Sequence, residues 1–175
     1  MKTIQVKTTV LIACMLSAVA AFAQQETASE FQQQLKAVFD ASQSLSKAFV
    51  ASDAAAVQAR AKEVSAALDA VNMHLLDDDP HMAWMEHLGV MEPALKTMQT
   101  SSDLRTQRKA LAPFSETLYQ SVKTFGIDGT KAYLQYCPMA LDNAGAAWLS
   151  AEKEILNPYF GDRMLRCGST REVIE

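Results

Sequence analysis

Residues 104–126 read LRTQRKALAPFSETLYQSVKTFG, and this stretch decides the fold class. Its apolar positions lie on one helical face, with Ser115 as the one small polar residue among them. The members of this face are Leu104, Leu111, Ser115, Leu118, Val122 and Phe125. The spacing predicts an amphipathic α-helix, and Gly126 is placed to end it.

Three segments upstream repeat this periodicity. The first covers residues 31–49 and follows a capping box at residues 27–30; the second covers residues 57–75 after Ser52-Asp53. The third has Asp79 as its N-cap and Pro80 at its first helical position. Four narrow apolar stripes joined by short links predict a mainly α fold, an antiparallel four-helix bundle.

The character of the chain changes after Gly126. Residues 132–137 read AYLQYC and are rich in strand-favouring aromatic residues, whereas glycine and proline interrupt residues 138–168 too often for a long helix. Val173-Ile174 can supply a strand partner. We expect a small irregular C-terminal cap, about residues 127–175, with one or two short strands, packed on one end of the helices within a single domain of residues 24–175.

Residues 1–23 have the organisation of a secretory signal peptide. A basic start is followed by an apolar run over residues 10–20 and a small-x-small site at Ala21-Phe22-Ala23. The alternative is a lipoprotein signal at Cys14, but the apolar run continues past Cys14, which favours cleavage after Ala23. The run is shorter than the roughly 20 residues of a membrane span, so we expect a periplasmic protein whose mature chain has no transmembrane segment.

Charge and composition narrow the function classes. Loss of Lys2 and Lys7 with the leader leaves 14 basic residues against 20 acidic ones, which disfavours a nucleic-acid partner. About 150 residues can bury a core without disulfide staples. The sequence has no Gly-rich phosphate loop, nucleophile elbow, HExxH pair or CxxCH haem motif, so we expect no enzyme activity.

The chemistry of the chain is concentrated in Cys137-Pro138-Met139 and in Met164 with Cys167. In an extended Cys-Pro-Met segment the two sulfurs project to the same side, and a helical turn places Met164 and Cys167 on one face. Thioethers suit monovalent copper better than zinc. The sequence therefore predicts a soft-metal site, with a plain disulfide between the two cysteines and core packing of the methionines as the alternatives.

His81 is the candidate ligand outside the cap. It is in phase with the apolar stripe of the third helix and lies near that helix's N-terminus, where the macrodipole favours the neutral, metal-binding imidazole. A hydrogen bond from its ring to a backbone carbonyl is the alternative. His87 is six positions later and is expected to face solvent.

Three motifs of the cap and several upstream residues carry a resemblance. They are Tyr136-Cys137-Pro138-Met139-Ala140, Asn157-Pro158-Tyr159-Phe160-Gly161 and Met164-Leu165-Arg166-Cys167-Gly168, with His81, Trp84-Met85, Asp103 and Gln107-Arg108 upstream. In these the chain resembles an exported bacterial domain-of-unknown-function family, which also occurs as the C-terminal module of periplasmic adaptor subunits of copper/silver efflux systems. The resemblance implies a helical domain that binds heavy metal through Cys137, Met139, Met164 and Cys167.

We therefore expect a periplasmic protein that binds a soft metal and acts in its buffering, delivery or efflux. The metal is monovalent copper by preference, with zinc or silver as alternatives, and the expected partners are a periplasmic efflux adaptor or a metal chaperone. The alternative is a non-catalytic protein-interaction module with a structural Cys137–Cys167 disulfide.

Overall fold

The computed structural model describes the backbone of residues 3–175 and the side chains of residues 27–175. Four long helices dominate the structure, which confirms the mainly α prediction. They are α1 (Thr3–Val50), α2 (Ala54–Asp69), α3 (Asp78–Thr100) and α4 (Leu104–Phe125). The predicted signal peptide at residues 1–23, with Cys14, lies outside the residues whose side chains are described.

The first helix carries the predicted stripe but not the predicted start. Its stripe residues are buried: Phe31, Leu35, Val38, Ser42, Leu45 and Phe49. Helix α1, however, runs from Thr3 through the supposed capping box at residues 27–30 without a break. Residues 24–30 contain no glycine or proline and are mostly good helix formers, so nothing in them ends a helix.

The bounds of α2 and α3 also differ from the prediction. Asp53 caps α2 as expected, since its carboxylate accepts a hydrogen bond from the Ala56 N–H at 2.9 Å, but the helix stops at Asp69. A short 3₁₀ helix, Met73–Leu75, follows. Helix α3 has Asp77 as its N-cap in place of Asp79, so Pro80 lies within the first turn, where it costs no helical hydrogen bond.

Helix α4 matches its prediction at both ends. Asp103 caps its start by accepting hydrogen bonds from the N–H groups of Arg105 and Thr106, and Gly126 ends it with a φ of 80°. Each helix contacts the next along the chain, and α1 also contacts α4. No helix in the described part of the chain is long and apolar enough to cross a membrane.

The cap, residues 127–175, is built on a three-stranded antiparallel sheet. Its strands are β1 (Ala132–Cys137), β2 (Ala146–Ser150) and β3 (Ser169–Ile174), in the order β2-β1-β3. The prediction of β1 and of β3 as its partner is confirmed, whereas β2 was not foreseen. Between the strands lie a four-residue helical turn, α5 (Ala140–Asn143), and a second 3₁₀ helix, Gly161–Met164.

The cap lies along the side of α4. The prediction that it packs on one end of the helices is therefore wrong. An ion pair joins Arg105, near the start of α4, to Asp142 at 2.7 Å, and another joins Lys123, near its end, to Glu172 at 3.1 Å. Strand β2 packs against α4 because Trp148 and Leu149 turn inward and are buried. The sheet is thus held over the length of one helix.

Candidate functional site around the cysteine pair

The fold brings the two cysteines of the cap together. Cys137 is the last residue of the central strand β1, and its neighbour Tyr136 pairs with Ser169 at the start of β3. Cys167 lies two residues before Ser169, so the β1–β3 register places it beside Cys137. The two Sγ atoms are 2.6 Å apart, and both side chains are free thiols.

Gly168 permits this approach. A Cβ atom at Gly168 would lie 2.9 Å from the Tyr136 carbonyl oxygen and 2.9 Å from the Trp148 ring. Its φ of 141° is also one that side-chain-bearing residues rarely adopt. Glycine therefore lets the chain pass close to β1 directly after Cys167.

Asn157 holds the backbone of Cys167 from the other side. This side chain is fully buried, donates from Nδ2 to the Cys167 carbonyl at 2.7 Å and accepts at Oδ1 from the Tyr159 N–H at 2.8 Å. Its own backbone N–H donates to the Leu165 carbonyl at 2.9 Å. One residue thus closes the loop between residues 157 and 167 and fixes where Cys167 lies.

The sulfur separation can be compared with the geometry that each of the two predicted chemistries requires. A disulfide holds its sulfurs about 2.0 Å apart, whereas one ion bound by two thiolates at about 2.3 Å holds them about 3.8 Å apart at a tetrahedral angle. At 2.6 Å the sulfurs leave no space for an ion between them. The arrangement fits bond formation between the thiols, and metal binding would require the sulfurs to separate by more than an ångström.

The Cys167 thiol is favoured in its protonated form. The hydrogen bond with Cys137, followed by burial, raises the pKa of the Cys167 thiol. A raised pKa lowers the thiolate fraction at neutral pH, and the thiolate is both the nucleophile and the metal ligand. Cys167 is therefore a slow nucleophile in the reduced protein.

Met139 does not follow the extended geometry on which its prediction rested. Strand β1 ends at Cys137, and the backbone of Met139 is helical, with φ −89° and ψ −9°. The period-two argument therefore does not apply to it. The Met139 side chain is 45% exposed.

Met164 lies at the end of the second 3₁₀ helix and is half-buried. The Cys167 N–H donates to the Met164 carbonyl at 3.0 Å, so the turn that this part of the prediction assumed is present. Among the described residues, each cysteine sulfur has the other as its hydrogen-bond partner and neither has a methionine sulfur. The assignment of the two methionines as ligands remains a prediction.

His81 is placed far from the cysteine pair. It lies in the first turns of α3, where its Nδ1 is 3.2 Å from the Met73 carbonyl oxygen. Trp84, one turn on, packs against Phe125 at the end of α4, while the Cys137 side of the cap reaches Arg105 at its start. These ends are about 30 Å apart at 1.5 Å per residue, so the structure does not bring His81 to the cysteines.

His87 does not face solvent as predicted: it is half-buried, its Nδ1 is 2.8 Å from the Ser121 Oγ, and burial lowers its pKa. In the described part of the chain, no group of three or more histidine, cysteine, aspartate or glutamate side chains is arranged to hold a metal ion.

Sequence reasoning missed the buried polar residues that organise the cap. Besides Asn157, these include Gln135, whose Nε2 donates to the carbonyl groups of residues 152–154, and Arg108, which joins α4 to the loop at Pro158. A signal existed for Arg108, because it stands in phase with Leu104 and Leu111 on the buried face of α4. Buried polar residues whose hydrogen bonds are satisfied in this way fix one arrangement of the loops that they join.

Fold and site together define a helical domain with a sheet-based cap closed by two facing cysteines. Residues 38–130 match the family described as "Protein of unknown function (DUF3347)", and the chain belongs to that family. The matched segment covers the helices from mid-α1 to the end of α4 and stops before β1, so the cysteine motifs lie outside it. No curated protein and no solved structure matches the chain.

Proposed function

We propose that this chain is an exported, non-catalytic interaction module whose cap is closed by a Cys137–Cys167 disulfide. The observation that supports it is the 2.6 Å separation of the two sulfurs, which suits bond formation and leaves no space for an ion. The signal-peptide pattern of residues 1–23 directs the chain to the periplasm, where disulfides persist. There the four helices form an antiparallel bundle, and the cap offers the docking surface for an envelope or efflux-adaptor partner.

Closure has a clear structural role in this proposal. The segment between Cys137 and Cys167 has only short regular elements, namely α5, β2 and the second 3₁₀ helix, and it contains the Asn157 loop and the exposed turn at Met139. A covalent bond between its ends restricts this segment to the arrangement that the buried polar residues hold. A preorganised surface binds a partner at a lower cost in conformational entropy.

Soft-metal binding is the second candidate function, and it belongs to the reduced state. The observation that favours it is the placement of two thiols and the exposed Met139 side chain in one short region of the cap. Such donors suit monovalent copper or silver better than zinc. In this alternative the protein buffers the ion or passes it by ligand exchange to an efflux adaptor or a metal chaperone.

One experiment separates the two functions. Mature protein is reduced, titrated anaerobically with monovalent copper against a strong competing chelator, and melted with and without the ion, beside Met139→Leu and the double variant Cys137→Ser/Cys167→Ser. The interaction-module proposal expects no copper-dependent rise in melting temperature and weak retention of the ion. Tight binding that Met139→Leu weakens would overturn it in favour of metal transport.

A further inference from the structure

A second feature of the cap has no role in the cysteine chemistry. A cavity of about 300 Å³ lies where the start of α4 meets α5 and the second 3₁₀ helix. Four cationic side chains line it: Arg105, Arg108, Lys109 and Arg163. We call it the basic cavity. Asp142 is the single carboxylate in its lining, although the whole chain has a formal net charge of −4.

Arg108 forms the buried wall of the basic cavity. Its side chain is 8% exposed, and its guanidinium donates to the carbonyl groups of Pro158 at 3.0 Å and Phe49 at 3.2 Å and to the Ser52 Oγ at 3.0 Å. All three acceptors are neutral, and no carboxylate within the described residues forms an ion pair with Arg108. A charge buried with neutral partners alone leaves an electrostatic demand that an anion can meet.

The other cations add to this demand. Arg163 and Lys109 are exposed, and neither forms an ion pair with another described side chain, whereas Arg105 is paired with Asp142 at 2.7 Å. Burial, and then repulsion from Arg163, lowers the pKa of Arg108, and Asp162 offsets only part of this. Like charges that face one concave space concentrate a positive potential there.

The remaining lining is apolar. Tyr159 and Phe160 contribute aromatic surface and Leu141 aliphatic surface. Leu141 and Asp142 belong to a turn in which three successive residues, none of them glycine, have positive φ values. These values are 51°, 60° and 70° at residues 141–143. Conformations of this kind cost energy and concentrate at ligand-binding sites.

We propose that the basic cavity binds the carboxylate or phosphate group of a small anion. Arg108 donates to the anion from the buried wall, Arg163 and Lys109 neutralise it at the mouth, and the aromatic side chains contact the apolar part of the molecule that carries it. Guanidinium groups suit both oxyanions because they donate two parallel hydrogen bonds. This site is independent of the cysteine pair and does not rest on the function proposed above.

The test is calorimetric titration of the purified protein with two probes, inorganic phosphate and benzoate, at low ionic strength. We expect at least one probe to bind with a dissociation constant below about 1 mM. Binding of phosphate alone identifies a phosphate ligand, and binding of benzoate alone identifies an aromatic carboxylate. Failure of both probes to bind overturns the proposal.

Matched variants localise the site without disturbing the buried Arg108. We expect Arg163→Gln and Lys109→Gln each to weaken binding about tenfold, since each removes one charge-assisted contact. Arg166→Gln, in the same segment, and Lys96→Gln, on α3, remove the same charge away from the cavity and should leave the affinity unchanged. Equal losses in the cavity and control variants would show that net charge alone attracts the probe, and would also overturn the proposal.

Discussion

Closing the Cys137–Cys167 bond should stabilise the cap by an amount that follows from its loop length. The cysteines are 30 residues apart in sequence, and the chain-entropy relation assigns a loop of that size about 3.6 kcal/mol at 25 °C. The native state needs little rearrangement for this, because the two sulfurs already lie 2.6 Å apart. At about 2–4 °C per kcal/mol for a domain of this size, reduction should lower the melting temperature by about 7–14 °C.

Guanidinium unfolding of the oxidised and the reduced protein, followed by circular dichroism, measures the difference between their free energies of unfolding. The double variant Cys137→Ser/Cys167→Ser is the control, because a reductant should leave its unfolding midpoint unchanged. If oxidised and reduced protein unfold within about 0.5 kcal/mol of each other, the closed bond does not constrain the chain as argued. A reductant effect of equal size in the double variant would show that the reagent acts elsewhere.

Three further experiments test the loop that Asn157 closes and the Cys167 thiol. Gly161→Ala should lower the free energy of unfolding, measured in urea, by about 2–4 kcal/mol. The reason is that Gly161 has a φ of 60° and that a Cβ there would collide with the Ser52 Oγ and lie 2.8 Å from the Val50 carbonyl oxygen. A variant as stable as the wild type would refute that packing. Asn157→Ala should lower the free energy of unfolding by about 2–5 kcal/mol, because it leaves the Cys167 carbonyl and the Tyr159 N–H without their partner. The same change should slow disulfide formation in a thiol-trapping time course. An unchanged rate would show that Asn157 does not position Cys167. The raised pKa of Cys167 means that the reduced folded state holds this proton more tightly than the unfolded chain does. The free energy of unfolding of the reduced protein should therefore fall as the pH rises from the ordinary thiol pKa through the raised one. Urea unfolding at about pH 7 and about pH 10 measures this fall, and the double serine variant is the control that should lack it.

The helices followed from the sequence where a local signal and the global fold agree. Helix α4 has its apolar stripe and its stop at Gly126 in agreement with each other, and both are confirmed. The capping box at residues 27–30 failed as a start signal because the residues before it are themselves good helix formers. Strand β2 was missed because residues 146–150 are too short for their alternation to stand out.

The candidate site was predictable in its cysteines and not in the ligands around them. Cys137 and Cys167 meet because of the β1–β3 register, which the strand-favouring residues on both sides foreshadowed. The assumption that Met139 points with Cys137 required β1 to continue through Pro138, which has no N–H for the ladder, and the strand ends there. His81 could be compared with the cysteines only once the direction of α3 relative to the cap was known, and that direction is a property of the tertiary fold.

The basic cavity shows the same limit. Arg105, Arg108 and Lys109 are close together in sequence, but Arg163 joins them only through the folding of the loop that Asn157 closes. Separated residues that meet at one surface leave no spacing pattern in the chain. The signal that the sequence does carry is the position of Arg108 in the apolar stripe of α4, where the structure buries it.

Peptide mapping of the mature protein, isolated from the periplasm and alkylated under native, non-reducing conditions, tests the central claim most directly. The account predicts that Cys137 and Cys167 are both protected from the alkylating reagent and are recovered as one peptide pair joined by a disulfide. Recovery of both cysteines as separately alkylated peptides would contradict it.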